Sequence, residues 1–335
     1  MGAAATGAIG WSATHLAAPW IGALGYPSID GPASAQRSAR RGADLQATPP
    51  WGWPYRWSPG DFVTHVAIEG DRPMMALTFD DGPIPAYTAS VLRTLAERGV
   101  TATFFMVGVN VRSFPDLARQ VAEEGHEIGN HSVYHTPYYA PSLAQQMRPN
   151  QEIIRSATGV TPLVSRTPGL AKGTAVLEEC RALGMYECHT HMAGYDAVDP
   201  RYSAAELCSL FARSHRNGAF ALFHDGGAHR QTAEALPCII DHALANGYEL
   251  VTATELTHHG TPLPGTFGYP PSLASGDPAG DPPDDDPPTV SLEGRYDVRL
   301  ELERQLDDPT LSAVTRSRIV EVLAEMDDLE RRSNG

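Results

Sequence analysis

The sequence predicts an α/β fold in which parallel strands are covered by helices, as an open sheet or a closed barrel. Three observations carry this. Between about residues 62 and 258, short apolar runs alternate with segments of helical periodicity. Strand–helix alternation of that kind places parallel strands side by side with helices packed over them. Residues able to do chemistry then gather just past the apolar runs, at the strand ends where such folds assemble their sites.

Taken in order, Met74–Phe79 is an apolar run bounded by polar residues and reads as a buried strand. Residues 86–98 place Val91, Leu92 and Leu95 on one helical face and stop at Gly99, a helix C-cap. Residues 101–107 read as a strand. Residues 114–124 read as a helix, with Pro115 near its start and Gly125 after its end. A short strand over 125–130 follows. Helices are then predicted near 142–158, 174–183, 203–216 and 230–246. Strands alternate with them near 162–165, 185–189, 219–223 and 248–251.

The flanks differ in character. Residues 1–60 form a leader that ends in an aromatic, proline-rich patch from Trp51 to Pro59. Ala33-Ser34-Ala35 resembles a signal-peptidase site, yet no Lys or Arg precedes the apolar part, and His15 and Pro19 interrupt it. An extracellular or cell-envelope location and a cytoplasmic one therefore both stay open. Residues 261–290 are rich in Pro, Gly and Asp and read as an extended linker. Residues 291–333 regain helical periodicity with a break at Asp307-Asp308-Pro309, the pattern of a helical hairpin. A hairpin of that size has little core of its own, so it is expected to dock on the main domain or to dimerise.

Composition narrows the function. The net charge of −15 argues against a nucleic-acid partner, which needs a basic surface. No apolar stretch reaches the roughly 18 residues of a transmembrane anchor. The four cysteines (Cys180, Cys188, Cys208, Cys238) lack CxxC spacing, which leaves buried free thiols or one or two disulfides.

Three clusters carry the chemistry. Thr78-Phe79-Asp80-Asp81-Gly82-Pro83 sets two carboxylates where a buried strand ends, a costly arrangement unless a cation neutralises them. His131-Ser132-Val133-Tyr134-His135 places two imidazoles at i and i+4, on one face of a helical turn and close enough to share a metal. Leu222-Phe223-His224-Asp225 places a histidine just past another apolar strand. Each has a plain alternative: an exposed turn, an accidental pair, a structural histidine.

Together with Ala102–Gly108 and Gly125–His135, these clusters resemble the polysaccharide deacetylase family, also called the NodB-homology or carbohydrate esterase family four domain, over roughly residues 72–257. The resemblance implies a distorted (β/α) barrel of about seven strands. It implies a divalent metal, Zn2+ first and Co2+ or another transition metal next, held by Asp81, His131 and His135. It makes Asp80 the base that deprotonates a metal-activated water and His224 the acid that protonates the leaving amine. Arg166 is expected to orient Asp80 by ion pairing.

This chain departs from the family pattern in two places. Arg166-Thr167-Pro168-Gly169-Leu170 has Gly169 where an aromatic wall of the substrate groove belongs. The family's Asp-Trp pair, whose carboxylate is expected to partner Arg166, is also missing. Residues 195–202 offer Asp199 or Asp196 as the carboxylate, with Asp199 preferred, and Tyr202 or Tyr195 as the aromatic. Pro168, Gly169, Tyr202 and Leu222 are the expected substrate contacts. His189 and His191 read as local packing. The function implied is deacetylation of N-acetylated sugars or glycans. The alternatives are a deacylase acting on a small N-acyl metabolite, or an inactive carbohydrate-binding module.

Overall fold

The structure, a computed structural model, describes residues 56–135, 142–171, 173–190, 192–193, 196, 202–227, 229–264 and 297–333. Residues 1–55 of the expected leader, residues 265–290 of the expected linker, residues 291–296 of the expected helical tail, and Tyr195, His191 and Asp199 lie outside these.

The chain enters through two short strands, β1 (Phe62–Val63) and β2 (His65–Ile68), before the central strand β3 (Met74–Asp80). Then come α1 (Pro85–Arg98), β4 (Thr103–Met106), α2 (Gly108–Ser113), α3 (Pro115–Glu123), β5 (Glu127–Asn130) and α4 (Leu143–Thr158). The second half runs β6 (Val164–Ser165), a 3-10 turn (Pro168–Leu170), α5 (Thr174–Leu183), β7 (Tyr186–Cys188), β8 (Met192–Ala193) and α6 (Ala204–Ser214). It continues with β9 (Ala219–His224), α7 (Arg230–Ala245), β10 (Glu249–Val251), α8 (Ala253–His258) and β11 (Gly260–Leu263). Beyond residue 296 come α9 (Val298–Leu306) and α10 (Ala313–Ser333).

Strands β3 to β9 form a parallel series in the order β7-β6-β5-β4-β3-β9-β8, seven of the eleven strands of one nearly closed barrel-like sheet. The expected distorted barrel is therefore the fold observed. β3 lies at its centre with all seven residues buried. One edge of β3 pairs along its length with β9; the other is shared by β10 at its start and β4 at its end. β2 and β11 add an antiparallel margin beside β9. β11 corrects the expected domain end at 258, because residues 260–263 hydrogen-bond to β2 instead of opening the linker. At the other end the leader joins the core before residue 60: Trp57 is buried against Tyr186, ring centroids 4.7 Å apart.

Of the four cysteines, Cys180 and Cys188 are buried free thiols, while Cys208 and Cys238 form a disulfide between α6 and α7. It closes a loop with a sequence separation of 30. The double variant Cys208→Ser/Cys238→Ser is expected to lose about 3–4 kcal/mol of stability by the chain-entropy relation for such a loop. A urea midpoint no lower than that of the wild type would contradict this. Among the described residues, no helix is long and apolar enough to cross a membrane.

Candidate active site

Parallel pairing brings the chemical groups to one end of the barrel. Asp80, the last residue of β3, stands level with His224, the last residue of β9. The chain must then turn sharply, and Asp81 does so with φ 78°. Its carbonyl accepts from Asn110 Nδ2 at 2.7 Å. Two glycines allow the crowding here. A Cβ on Gly82 would sit 2.3 Å from Asp225 Oδ2, and one on Gly226 would sit 2.4 Å from the Asp81 carbonyl oxygen.

Residues 131–135 follow β5 as an irregular loop, which corrects the expected helical turn. Ser132 and His135 have φ of 64° and 57°, outside any right-handed helix. Side chains hold this shape instead. Ser132 N–H donates to Asn130 Oδ1 at 3.0 Å, Tyr134 N–H to Gln146 Oε1 at 3.0 Å, and His135 N–H to Ser132 Oγ at 3.2 Å. Asn150 Nδ2 in turn donates to Asn130 Oδ1 at 2.8 Å. The i,i+4 spacing thus does bring the two imidazoles together, but through loop geometry.

Asp81 Oδ1 lies 3.2 Å from His131 Nε2 and 2.8 Å from His135 Nε2, and one donor atom from each of the three residues falls within 4.8 Å of the others. His131 Nδ1 is 2.6 Å from the Arg166 carbonyl oxygen. A carbonyl only accepts, so Nδ1 carries the proton. Nε2 is left facing a carboxylate oxygen, which is repulsive unless a proton or a metal cation stands between them. Two imidazoles and a buried carboxylate converging in this way fit a divalent transition metal. The carbonyl that orients His131 is the kind of outer partner such ligands have.

Arg166 is fully buried and joins this centre to the barrel floor. Its NH1 donates to Asp80 Oδ1 and to Thr78 Oγ1, both at 2.8 Å, and its Nε donates to the Cys188 carbonyl at 2.9 Å. The guanidinium carbon stacks 4.2 Å from the centre of the Phe105 ring. Asp80 thereby has one oxygen committed to Arg166, while its Oδ2 lies 3.9 Å from His131 Nε2, on the metal side.

The partner of His224 is Asp196. Its Oδ1 is 3.1 Å from His224 Nδ1, and its Oδ2 accepts from His224 N–H and Thr232 Oγ1, both at 2.7 Å. Sequence reasoning preferred Asp199 and assigned the carboxylate to Arg166. Here Asp196 is buried and serves the histidine, while Arg166 pairs with Asp80. Burial opposes a charge on His224, but Asp196 and, behind it, Asp81 and Asp80 outweigh burial and raise its pKa to about 10. Burial also pushes Asp225 up to about 7, although Thr88 Oγ1 donates to its Oδ2 at 2.6 Å.

These shifts have a testable consequence for Asp196→Asn. A proton donor works below its pKa and fails as pH rises through it. Removing the Asp196 charge lowers the His224 pKa, so the alkaline limb of the pH–rate profile should move to lower pH by about 1–3 pH units. An alkaline limb that stays in place would show that Asp196 does not hold the proton on His224.

The expected substrate contacts lie on separate elements. Pro168 is buried and opens the 3-10 turn; Gly169 adopts φ 61° within it. The amides of Leu170 and Ala171 are used inside that turn, on Thr167 and Pro168 oxygens. Leu222 sits on β9 opposite Thr78. Tyr202 precedes Ser203, the N-cap of α6, and no contact among the described residues ties it to the metal ligands. His189 packs on Phe62 with ring centroids 4.5 Å apart, beside Glu187, in line with local packing. Sequence reasoning missed Asn110, Asn150, Gln146 and Thr232, whose partners are remote in sequence and leave no local pattern.

A family model described as polysaccharide deacetylase matches residues 67–188. A peptidoglycan-N-acetylglucosamine deacetylase of Bacillus cereus is 33% identical over 208 residues, which take up 60% of this chain and 95% of the relative. A chitooligosaccharide deacetylase of Rhizobium leguminosarum bv. trifolii is 33% identical over 189 residues, 52% of this chain and 87% of the relative. Among solved structures, the peptidoglycan deacetylase PdaC from Bacillus subtilis superposes with a TM-score of 0.52 at 28% identity, covering 57% of this chain and 93% of that one.

Proposed function

The chain belongs to the polysaccharide deacetylase family, and from that premise we propose that it removes acetyl groups from the amide nitrogens of N-acetylated sugars in a glycan. The observation that carries this reading is the gathering of Asp80, Asp81, His131, His135 and His224 around one point at the barrel end. Asp81, His131 and His135 are the proposed metal ligands, and two imidazoles with one carboxylate favour Zn2+, with Co2+ as a working substitute. When bound, the metal supplies Lewis-acid polarisation of the acyl carbonyl and lowers the pKa of water.

The chain's own residues do the rest. Asp80 takes the proton of the attacking water through Oδ2, since Arg166 occupies its Oδ1. Arg166 keeps Asp80 from turning away. His224, with Nδ1 engaged by Asp196, presents Nε2 to the substrate and delivers a proton to the leaving nitrogen. Amide nitrogen leaves poorly unless protonated, so an acid at this place is required. The Gly169 N–H is the proposed donor to the oxyanion, its neighbours' amides being tied into the turn. Pro168, Gly169, Leu222 and Tyr202 are the proposed substrate contacts, and Asp196 is the proposed partner of His224, a different role from the Arg166 pairing considered for Asp199.

Acetate release from chitooligosaccharides, peptidoglycan fragments and small N-acetylated amines tests the reading. The expected result is release from an oligosaccharide, abolished by a chelator and restored by Zn2+ or Co2+. Turnover of small amides with none from any oligosaccharide would move the substrate to a small N-acyl metabolite. Metal uptake with no release from any of them would leave only a carbohydrate-binding module.

A further inference from the structure

The loop that bears both histidines is held on its inner side by Asn130, Gln146 and Asn150. On its outer side the contact comes from the far end of the chain. Tyr134, between the two histidines, donates its hydroxyl to Glu325 Oε1 at 2.8 Å. The other oxygen of Glu325 lies 2.6 Å from Arg112 NH2 on α2. One carboxylate thus bridges the ligand loop to the helix that follows β4.

The helix carrying Glu325 is well placed to keep it there. Ile319, Val322 and Met326 recur at helical spacing on α10 and are buried, as are Val298 and Leu302 on α9. Glu325 sits beside that stripe, three residues after Val322. Arg318 adds an ion pair of 3.9 Å to Asp116 on α3.

We propose that Glu325 is a positioning residue for the metal centre, and that the C-terminal hairpin acts through Tyr134 to hold the His131–His135 loop in ligating geometry. This rests on Asp81, His131 and His135 being the metal ligands. Both groups have the charge state that the bridge needs. Burial, with Glu325 adding to it, pushes the Tyr134 phenol up, in keeping with its hydroxyl donating to Glu325 Oε1. The Arg112 hydrogen bond holds Glu325 below the usual carboxylate range against the effect of burial, so it stays an acceptor.

The test titrates the metal-stripped full-length chain with Co2+, following its visible absorption, in wild type, Glu325→Ala, Glu325→Gln, Tyr134→Phe and the Glu325→Ala/Tyr134→Phe double variant. Loss of a direct outer partner of a metal ligand typically costs about 10–100-fold in affinity. Glu325 and Tyr134 act one step further out, so a loss near the lower end, about 10-fold, is expected. That weakening is expected in Glu325→Ala and Tyr134→Phe alike, with no further loss in the double variant and partial recovery in Glu325→Gln, which keeps an acceptor. Activity lost at limiting Co2+ should return at excess Co2+. Tyr134→Phe removes a single oxygen, and its thermal unfolding is expected to match the wild type, so its metal affinity reads positioning apart from folding. Wild-type affinity and spectrum in both single variants, or losses that add in the double, would overturn the proposal. A wild type that takes up no Co2+ would overturn the metal assignment on which it rests, a result distinguishable from the others.

Discussion

Asp80→Asn is expected to lower kcat by about 10²–10⁴-fold, the range that a positioned proton acceptor contributes, without loss of bound metal. The substitution is nearly isosteric. Asn keeps an oxygen for Arg166 NH1, which now meets Asp80 Oδ1 at 2.8 Å. What it removes is the second carboxylate oxygen, the one 3.9 Å from His131 Nε2. KM should change little, because the lost interaction belongs to the transition state. Acetate release under saturating substrate, with metal content measured on the same preparation, checks both parts. A variant with wild-type kcat, or one inactive only because its metal is gone, would remove Asp80 from the role of base.

The second large effect concerns folding. Arg166→Met is expected to destabilise the protein by about 3–5 kcal/mol, the usual cost of leaving one partner of a buried ion pair uncompensated. Arg166 has no exposure to solvent, and its guanidinium contacts Asp80, Thr78, the carbonyl and Sγ of Cys188, and the Phe105 ring. Adding Asp80→Asn to Arg166→Met should recover part of the loss, because the stranded carboxylate is then gone. A double-mutant cycle by urea unfolding measures that coupling. Strictly additive losses would mean that the pair contributes packing and no mutual electrostatic support.

The barrel strands and most of the helices packed on them were legible because burial on both faces writes itself as apolar runs, and helix ends as Gly and Pro. β1, β2, β8 and β11 were not, since strands of two to four residues at a margin lack a readable period. The proposed acid and base, His224 and Asp80, were expected from apolar runs and the family resemblance, and the structure sets them level at the ends of β9 and β3. Their supports were harder to see. The sequence preferred Asp199 to Asp196; Asp196 accepts from Thr232 and His224, partners remote in sequence, while Asp199 lies outside the described residues. The shape of the 131–135 loop depends on amides from α4, which sequence spacing does not report. Cysteine pairing was open for the same reason, since α6 and α7 become neighbours only by flanking β9.

That cross-link has a further consequence. α7 supplies Thr232, which holds Asp196, which holds His224, and Cys238 on the same helix ties it to α6. The side of the centre that bears His224, the proposed acid, is therefore backed by a covalent fastening, whereas Tyr134 beside His135 meets an ionic one at Glu325 and Arg112. Thiols sever the first and are indifferent to the second; salt screens the second and leaves the first intact. Two unrelated features of the surroundings, reducing power and ionic strength, thus reach different parts of one centre.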